Sequence, residues 1–361
     1  MNSPVVSSAE MRAAEEAAFA RGVTAEALME MAGAGIARAV VQFFPSPGRC
    51  VIFLGKGNNA GDALVAARHL RAIGWSIELQ PSFTAEHCGE LMCTKLREFE
   101  SAPPATATAA RSSRVVILDG LLGLGAKPPL RDPIRAACRE INRLRDKASA
   151  FVFAIDVPTG LQADSGETDA DCVVADCTVT IGFAKCGLVT DGAIDHVGRL
   201  EVVELRDLVV DRARSDAIVT SAGSLGGILP RRKFSAYKNQ FGRVGIVAGS
   251  RGLTGAAVLC ASGALRGGAG LVNLFVTQDV YPIIASIAPP EAMVRGIASY
   301  ADLNDQPVNV WAIGPGLGKE HAGEIRDVIR GLEQPVVVDA DGLNAVADDP
   351  QTLLHARGPR L

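Results

Sequence analysis

The chain has 361 residues, a length typical of two domains. Hydrophobic residues make up 48% of it and charged residues 21%, as in ordinary α/β proteins. A net charge of −4 and an aromatic content of 5% argue against nucleic-acid binding, which needs basic surfaces and stacking platforms. The chain has no signal-peptide pattern and no apolar stretch long enough to span a bilayer, so we expect a cytoplasmic protein without membrane partners.

The eight cysteines are scattered, and no two of them form a Cys-x-x-Cys pair. The five histidines lack a metal-ligand spacing relative to the cysteines, which argues against a zinc site. We expect reduced thiols that behave as small apolar side chains.

Two helices are predicted first, from Ser8 to Arg21 and from Thr24 to Phe43. Strand-like and helix-like segments then alternate, which is typical of a doubly wound, Rossmann-like α/β domain with a mostly parallel sheet. The predicted strands are Val51–Leu54, Ser76–Gln80, Val115–Leu118, Phe151–Ile155 and Cys177–Ile181. The predicted helices between them are Asp62–Ile73, His87–Ser101 and Ile134–Arg145.

Clusters of glycine and polar residues follow four of these strands, beginning at Gly55, Asp119, Asp156 and Gly182. A single cluster is explained by a turn in which Asp caps and Gly supplies a positive φ. Four clusters at one edge of a parallel sheet predict a ligand site, because ligands bind beyond the carboxyl ends of such strands.

The cluster Gly55–Asp62 joins a strand to a helix, so its backbone N–H groups can face an anion. Asn58, Asn59 and Asp62 are more than a phosphate cradle needs, which predicts an ordered polar ligand, a metal ion, or both. The spacing is not that of a Walker motif, and the chain lacks a full Gly-x-Gly-x-x-Gly fingerprint. A hydride-transferring dehydrogenase is therefore a poor fit.

Oxygen donors at the strand ends predict a cation site. Asn59, Asp119 and Thr159 supply amide, carboxylate and hydroxyl oxygens, a set that suits potassium better than Mg²⁺. The alternative is that Asp119 only caps the turn over 120–125. Asp156 ends an apolar strand, where a partly buried carboxyl suits general acid or base catalysis, although an Asx-turn would also place an Asp there.

A second α/β domain is predicted beyond a charged and then small, polar segment over 205–224. We place the boundary between residues 214 and 215, which gives domains 1–214 and 215–361. The predicted strands of the second domain are Phe241–Ala248, Leu271–Val276, Trp311–Ile313 and Pro335–Val338. Glycine-rich loops follow several of them and predict a second ligand face.

Motifs in the first half resemble the NAD(P)H-hydrate epimerase domain over about residues 8–212. They are Leu28–Gly33, Gly57–Asp62, Asp119 with Gly123–Gly125, and Ala154–Gly160. The second half resembles the ADP/ATP-dependent NAD(P)H-hydrate dehydratase, a ribokinase-like fold, through Tyr237–Arg243, Thr254–Ala257, Gly314–Gly318 and Val338–Asn344. The whole chain thus resembles the bifunctional enzymes that repair nicotinamide nucleotides.

This resemblance implies a division of labour between the domains. The first would interconvert the R and S epimers of NADH or NADPH hydrated at C6 of the nicotinamide ring, with one potassium ion. The second would dehydrate the S epimer with ADP or ATP and Mg²⁺. The partner is a small-molecule substrate, and the helices over 8–43 are a candidate surface for a homo-oligomer.

As the candidate general acid or base, Asp156 is the expected catalytic residue. By motif position, Asn59, Asp119 and Thr159 would hold potassium, and Ala256 and Gly316 would contact the hydrated cofactor in the dehydratase. The epimerase residues assigned to substrate binding are Asn58, Asn59, Ala60, Gly61, Asp62, Gly123, Leu124, Gly125, Ala126, Lys127, Pro128, Pro129 and Asp156.

The chain departs from the family pattern at three points. Ala60 stands where the family has Gly, and at a positive φ it would cost roughly 1 kcal/mol. Thr159 replaces the commoner Ser but keeps the hydroxyl. The pattern stops at Leu361, before a Pro-His-Pro-Gly-Glu segment and a Gly-Thr-Gly-Asp loop, so we expect an incomplete dehydratase domain without activity in this chain.

Two other functions are compatible with parts of the sequence. A ribokinase-like small-molecule kinase would account for the second half but needs the Gly-x-Gly-Asp loop. A non-enzymatic protein-binding module with an epimerase-like fold would not need the carboxyl of Asp156.

Overall fold

The computed structural model describes residues 3–103, 114–125, 128–210, 217–220 and 231–361. The chain divides into two compact units, Met1–Pro230 and Arg231–Leu361. The predicted boundary between residues 214 and 215 lies outside the described residues. All eight cysteines are free thiols, and four of them are buried.

The first unit is an α/β domain with a parallel sheet, as predicted. Its described strands are β1 Ser3–Val6, β2 Arg49–Leu54, β3 Ser76–Pro81, β4 Val115–Gly120, β5 Phe151–Ile155, β6 Cys177–Ile181, β7 Ala184–Lys185, β8 Arg199–Val203 and β9 Ile218–Val219. Its described helices are α1 Ser8–Ala20, α2 Ala25–Phe43, α3 Asn58–Ala72, α4 Glu90–Ser101, α5 Ile134–Ala148 and α6 Ile194–Val197.

Six strands form the main sheet in the order β3-β2-β4-β5-β6-β8, and all neighbouring pairs are parallel. The chain leaves β2 toward β3 on one side and then continues from β4 on the other. The crevice beyond the carboxyl ends of β2 and β4 is therefore a topological switch point, where ligands bind in open α/β sheets. Strand β8 was not predicted from the sequence.

Small residues bring α3 close to both the sheet and α2. Ala60, Ala63 and Ala66 of α3 are completely buried. Where α2 crosses α3, a Cβ added at Gly33 would lie only 2.4 Å from the Cβ of Val65. This close packing holds the first turn of α3 at the switch point.

The remaining strands of the first unit form a small separate sheet in the order β7-β1-β9. β1 runs parallel to β7, with Val6 opposite Lys185, and antiparallel to β9. Both Val6 and Lys185 are buried. The N-terminal strand thus covers the segment that follows β6.

The second unit has five parallel strands in the order β12-β11-β10-β13-β14. Its strands are β10 Arg243–Val247, β11 Leu271–Thr277, β12 Ala292–Ile297, β13 Val310–Ile313 and β14 Val336–Val338. Its helices are α7 Thr254–Arg266, α8 Tyr281–Ile287, α9 Ala322–Gly331, α10 Asp341–Ala347 and α11 Gln351–Leu354. Its switch point lies between β10 and β13. Among the described residues of both units, no helix is long and apolar enough to cross a membrane.

At Gly55, the loop after β2 packs closely against the chain that follows β4. A Cβ at Gly55 would lie 1.8 Å from the carbonyl oxygen of Leu121, so Gly55→Ala must displace one backbone from the other. We expect a loss of about 1–3 kcal/mol in the stability of the first unit, as for other overpacked sites.

The measurement is urea unfolding followed by Trp75 fluorescence in a Trp311→Phe background, so that only the first unit reports. Gly57→Ala is the matched control, because a Cβ there meets no atom within 4 Å. Its cost should stay within about 0.5 kcal/mol. Equal losses for both variants would contradict the packing argument.

Candidate active site

A cleft of about 430 Å³ opens at the switch point of the first unit. It is lined by α1, by the loops after β2 and β4, and by the ends of β5 and β6. The predicted substrate-binding residues that line it are Asn58, Asn59, Asp62, Gly123, Leu124, Gly125 and Asp156. Sequence analysis missed Met11, Arg12 and Glu15 of α1, which line it too, because nothing in a helical pattern shows which face meets a distant loop.

Other predicted residues lie elsewhere. Ala60 is completely buried in the core, and Gly61 faces α2, since a Cβ there would lie 2.5 Å from the Cε of Met29. Pro128 and Pro129 do not line the cleft, and residues 126–127 lie outside the described part of the chain.

The loop predicted over Gly55–Asp62 is shorter than expected, because helix α3 begins at Asn58 instead of Asp62. Asn58, Asn59 and Asp62 therefore belong to the first turns of a helix, whose free N–H groups favour negative charge nearby. The expected strain at Ala60 was wrong. Ala60 has helical backbone and no positive φ, so Ala stands there without a conformational cost.

The three predicted cation ligands are buried and meet in one hydrogen-bond network. Thr159 donates its hydroxyl to Asp119 Oδ1 and its backbone N–H to Asp119 Oδ2, both at 2.8 Å. Asn59 donates through Nδ2 to the carbonyl oxygen of Leu122 at 3.1 Å, and Leu122 N donates to Thr159 Oγ1 at 3.1 Å. The capping alternative is also present, since Leu121 N donates to Asp119 Oδ1 at 3.2 Å.

Asp119 is a buried carboxyl with hydrogen-bond donors around it. Burial raises its pKa to about 6, although the hydrogen bonds from Thr159 and Leu121 oppose this rise. No Lys or Arg pairs with it among the residues that the structure describes. The surrounding oxygens belong to an amide, a hydroxyl and a backbone carbonyl, and the described residues contain no cluster of three or more His, Cys, Asp or Glu side chains suited to a metal. This donor set fits a weakly charged, oxygen-seeking cation better than a transition metal.

Asp156 has a strained backbone directly after β5, with a φ of 67°. Such left-handed conformations cost on the order of 1 kcal/mol for a residue other than Gly and concentrate at functional sites. Oδ1 of Asp156 accepts from Lys185 Nζ and from Ile181 N, the latter at 3.2 Å. Oδ2 accepts from none of the described residues, and Asp156 lines the cleft.

Lys185 was missed as an individual functional residue. Sequence analysis treated it only as part of the cluster that begins at Gly182. Its side chain is completely buried and pairs with Asp156. The only signal for it was a lysine between Ala184 and Cys186, within a stretch otherwise free of charge.

Two further carboxyls share the cleft with Asp156. Burial and the negative charges of Asp156 and Glu15 raise the pKa of Asp62 well above its usual value. Burial and Asp156 likewise raise the pKa of Glu15. No described residue donates a hydrogen bond to the Asp62 side chain. The cleft can therefore both accept and donate a proton near one bound group.

The two residues predicted in the second unit lie side by side at its switch point. A Cβ at Gly316, where φ is 68°, would lie 2.7 Å from the Cβ of Ala256. Gly249 N donates to the carbonyl oxygen of Pro315 at 2.9 Å, which joins the loops after β10 and β13. Gly318 N donates to Asp341 Oδ2 at 2.8 Å. These contacts form a glycine-lined edge that a ligand can approach closely.

Two family models match the chain. Residues 25–187 match the YjeF-related protein N-terminus, and residues 244–360 match NAD(P)H-hydrate dehydratase. Among solved structures, a yeast protein is 25% identical with a TM-score of 0.42, and covers 51% of this chain and 82% of its own. The ADP/ATP-dependent NAD(P)H-hydrate dehydratase of Bacillus subtilis is 31% identical with a TM-score of 0.29, over 32% of this chain and 43% of its own.

Full-length relatives match across both units. The bifunctional NAD(P)H-hydrate repair enzyme of Moorella thermoacetica is 33% identical over 92% of this chain and 67% of its own length. The enzyme of the same name from Gloeobacter violaceus is 30% identical over 98% of this chain and 73% of its own length. The chain therefore belongs to the family of the bifunctional NAD(P)H-hydrate repair enzymes.

Proposed function

We propose that the cleft of the first unit interconverts the R and S epimers of NADH or NADPH hydrated at C6 of the nicotinamide ring. The observation that carries this proposal is the chemistry of the cleft. It combines a carboxylate held by a buried ammonium, Asp156 with Lys185, and a carboxyl whose pKa is raised by burial, Asp62. Membership of the repair family supports the choice of substrate.

Epimerisation requires one proton acceptor and one proton donor. C6 carries the hydroxyl and is bonded to the ring nitrogen N1, so its configuration changes only if one of these two bonds breaks and re-forms on the other face. In ring opening, Asp156 takes the hydroxyl proton, the C6–N1 electron pair moves to N1, and Asp62 gives N1 a proton. Closure onto the other face reverses both transfers.

The same pair serves a route through loss of water. Asp62 would protonate the leaving hydroxyl, the C6–O electron pair would leave with the water, and Asp156 would take a proton from the water that returns to the other face. Return of that proton to Asp62 restores the site. Asn58, Asn59 and the chain over 123–125 would hold the substrate, and Arg12 and Lys56 would offer positive charge to its diphosphate.

We assign the potassium ion to Asn59, Asp119 and Thr159. The bound ion would neutralise the buried Asp119 carboxylate and fix the loop after β4 against α3. The oxygen donor set and the absence of a pairing Lys or Arg among the described residues support this assignment.

We propose that the second unit corresponds to the domain that, in the complete family protein, dehydrates the S epimer with ADP or ATP and Mg²⁺. The adjacency of Ala256 and Gly316 and the match of residues 244–360 to NAD(P)H-hydrate dehydratase support this role. A ribokinase-like kinase or a protein-binding module would leave the Asp156 and Lys185 pair without a role. A cytoplasmic location, a homo-oligomer and the lack of nucleic-acid and membrane partners stay predictions.

Asp156→Asn tests the proposed function directly. Asparagine keeps the size of the side chain but cannot take a proton, so R/S interconversion of hydrated NADH, followed by chromatography, should slow by about 10²-fold or more. Asp146→Asn, at an exposed carboxyl far from the cleft, is the control and should leave the rate unchanged. Wild-type protein that fails to exceed the spontaneous rate would refute the function, and an unimpaired Asp156→Asn variant would refute the role of the carboxyl.

Potassium should stabilise the first unit. In KCl its thermal transition should lie above that in choline chloride of equal ionic strength, by about 2–4 °C for each kcal/mol of binding. Asp119→Asn and Thr159→Val should remove this difference, whereas Thr159→Ser should retain it because the hydroxyl remains. A shift of the same size in Asp119→Asn would show that potassium acts elsewhere.

Asp62 should cost stability as the pH rises. Because the folded-state pKa of Asp62 is raised, the folded protein retains a proton that the unfolded chain releases above about pH 4. The free energy of unfolding therefore falls as the pH rises above that value. Asp62→Asn should therefore raise the urea midpoint of the first unit more at pH 8 than at pH 4, while slowing epimerisation. An equal change at both pH values would contradict the raised pKa.

A further inference from the structure

Lys185 is the most deeply buried lysine among the described residues of the first unit, and the proposed mechanism gives it no proton-transfer step. Its side chain has no exposed surface, and it does not line the cleft. All three ammonium hydrogens have acceptors, namely Asp156 Oδ1, Thr180 Oγ1 at 3.0 Å and the carbonyl oxygen of Ile181 at 2.8 Å. Lys185 therefore cannot touch a substrate and must act through a neighbour.

The neighbour with which it shares charge is Asp156. A completely buried ammonium is stable in a protein only when it is paired and fully hydrogen-bonded. Asp156 is the only carboxylate within ion-pair distance of Lys185 among the described residues. The two remaining acceptors are neutral, so they orient the ammonium without competing for its charge.

The positive charge of Lys185 matters because other charged groups also surround Asp156. Asp62 of α3 and Glu15 of α1 face Asp156 from two other elements, and both would add negative charge if ionised. Arg12 of α1 lines the same cleft but acts on Glu15. Without Lys185, the described part of the chain would leave these three carboxyls with no buried positive charge among them.

The pairing also leaves one oxygen of Asp156 open. Lys185 Nζ and Ile181 N both donate to Oδ1, which leaves Oδ2 as the oxygen without a donor from the described residues. Strand β1 holds Lys185 in this position, since Val6 lies opposite it in the small sheet. The N-terminal strand thus contributes to the position of Asp156 through Lys185.

We propose that Lys185 is a positioning residue for epimerisation, which gives Asp156 its buried counter-charge and turns its Oδ2 toward the substrate. This inference rests on the proposed epimerase function. A merely structural lysine would lower stability when it is replaced, but it would not change how the reaction depends on pH.

The test compares pH profiles of kcat/KM for epimerisation in Lys185→Met and Lys95→Met. Lys95 is a matched control, because it is also buried and bonded to carboxylates, Glu26, Glu30 and Glu98, but lies outside the cleft. Lys185→Met should move the acidic limb of the profile to higher pH by at least about one unit, which is a loss of about tenfold in rate on that limb with recovery on the plateau above it. Lys95→Met should keep the wild-type profile.

A second measurement is independent of activity. In the Asp156→Asn background the lysine has no carboxylate to compensate, so Lys185→Met should lower the urea midpoint of the first unit much less than it does in wild-type protein. If the single Lys185→Met variant does not fold but the double variant does, that difference also supports the pairing of Lys185 with Asp156.

The two failures can be told apart. A wild-type protein that does not epimerise would refute the proposed function, while the stability comparison would still test the pairing. Lys185→Met with an unshifted pH profile, or with the same loss of stability in both backgrounds, would overturn the role assigned to Lys185.

Discussion

The buried pair of Asp156 and Lys185 constrains everything around the cleft of the first unit. An ammonium without exposed surface needs a charged partner, and Asp156 supplies it from a left-handed backbone position directly after β5. On one side of the pair β1 covers β7, and on the other Asp156 lines the cleft. Glu15 and Asp62, which share the cleft, are pushed toward their neutral forms by burial and by the charge of Asp156. Of these three carboxyls, only Asp156 forms an ion pair with Lys185 among the described residues.

The alternation of strands and helices was readable from the sequence because buried parallel strands are continuous apolar runs, as in Val115–Leu118 and Phe151–Ile155. The grouping of Asn59, Asp119 and Thr159 followed from the rule that carboxyl ends of parallel strands share one edge. The start of α3 did not follow, because glycines and asparagines suit a loop and a first helical turn equally well. The contribution of Glu15 and Lys185 was hidden for a different reason. Glu15 reaches the cleft, and Lys185 reaches Asp156, only through tertiary packing of α1 and β7, which no local pattern encodes.

The buried carboxyls of Asp156 and Asp119 are stabilised in different ways. Lys185 provides internal compensation for Asp156, whereas Asp119 has hydrogen-bond donors but no pairing Lys or Arg among the described residues. The first arrangement is suited to chemistry, because Asp156 lines the cleft and its Oδ2 has no donor among the described residues. The second is suited to an exchangeable cation, because the oxygens around it carry little charge of their own. Asp119 lies near the end of β4 and Asp156 directly after the neighbouring β5, so occupation of the cation site and order in the cleft are expected to be coupled through the chain over 119–125.

The most direct test of the central claim is a crystal structure of the Asp156→Asn variant bound to hydrated NADPH, in which slow turnover preserves the ligand. The account predicts that the C6 hydroxyl lies within hydrogen-bond distance, about 3 Å, of the atom that replaces Asp156 Oδ2, with Asp62 on the side of the ring nitrogen. A nicotinamide ring bound with C6 turned away from residue 156, or bound outside this cleft, would contradict it.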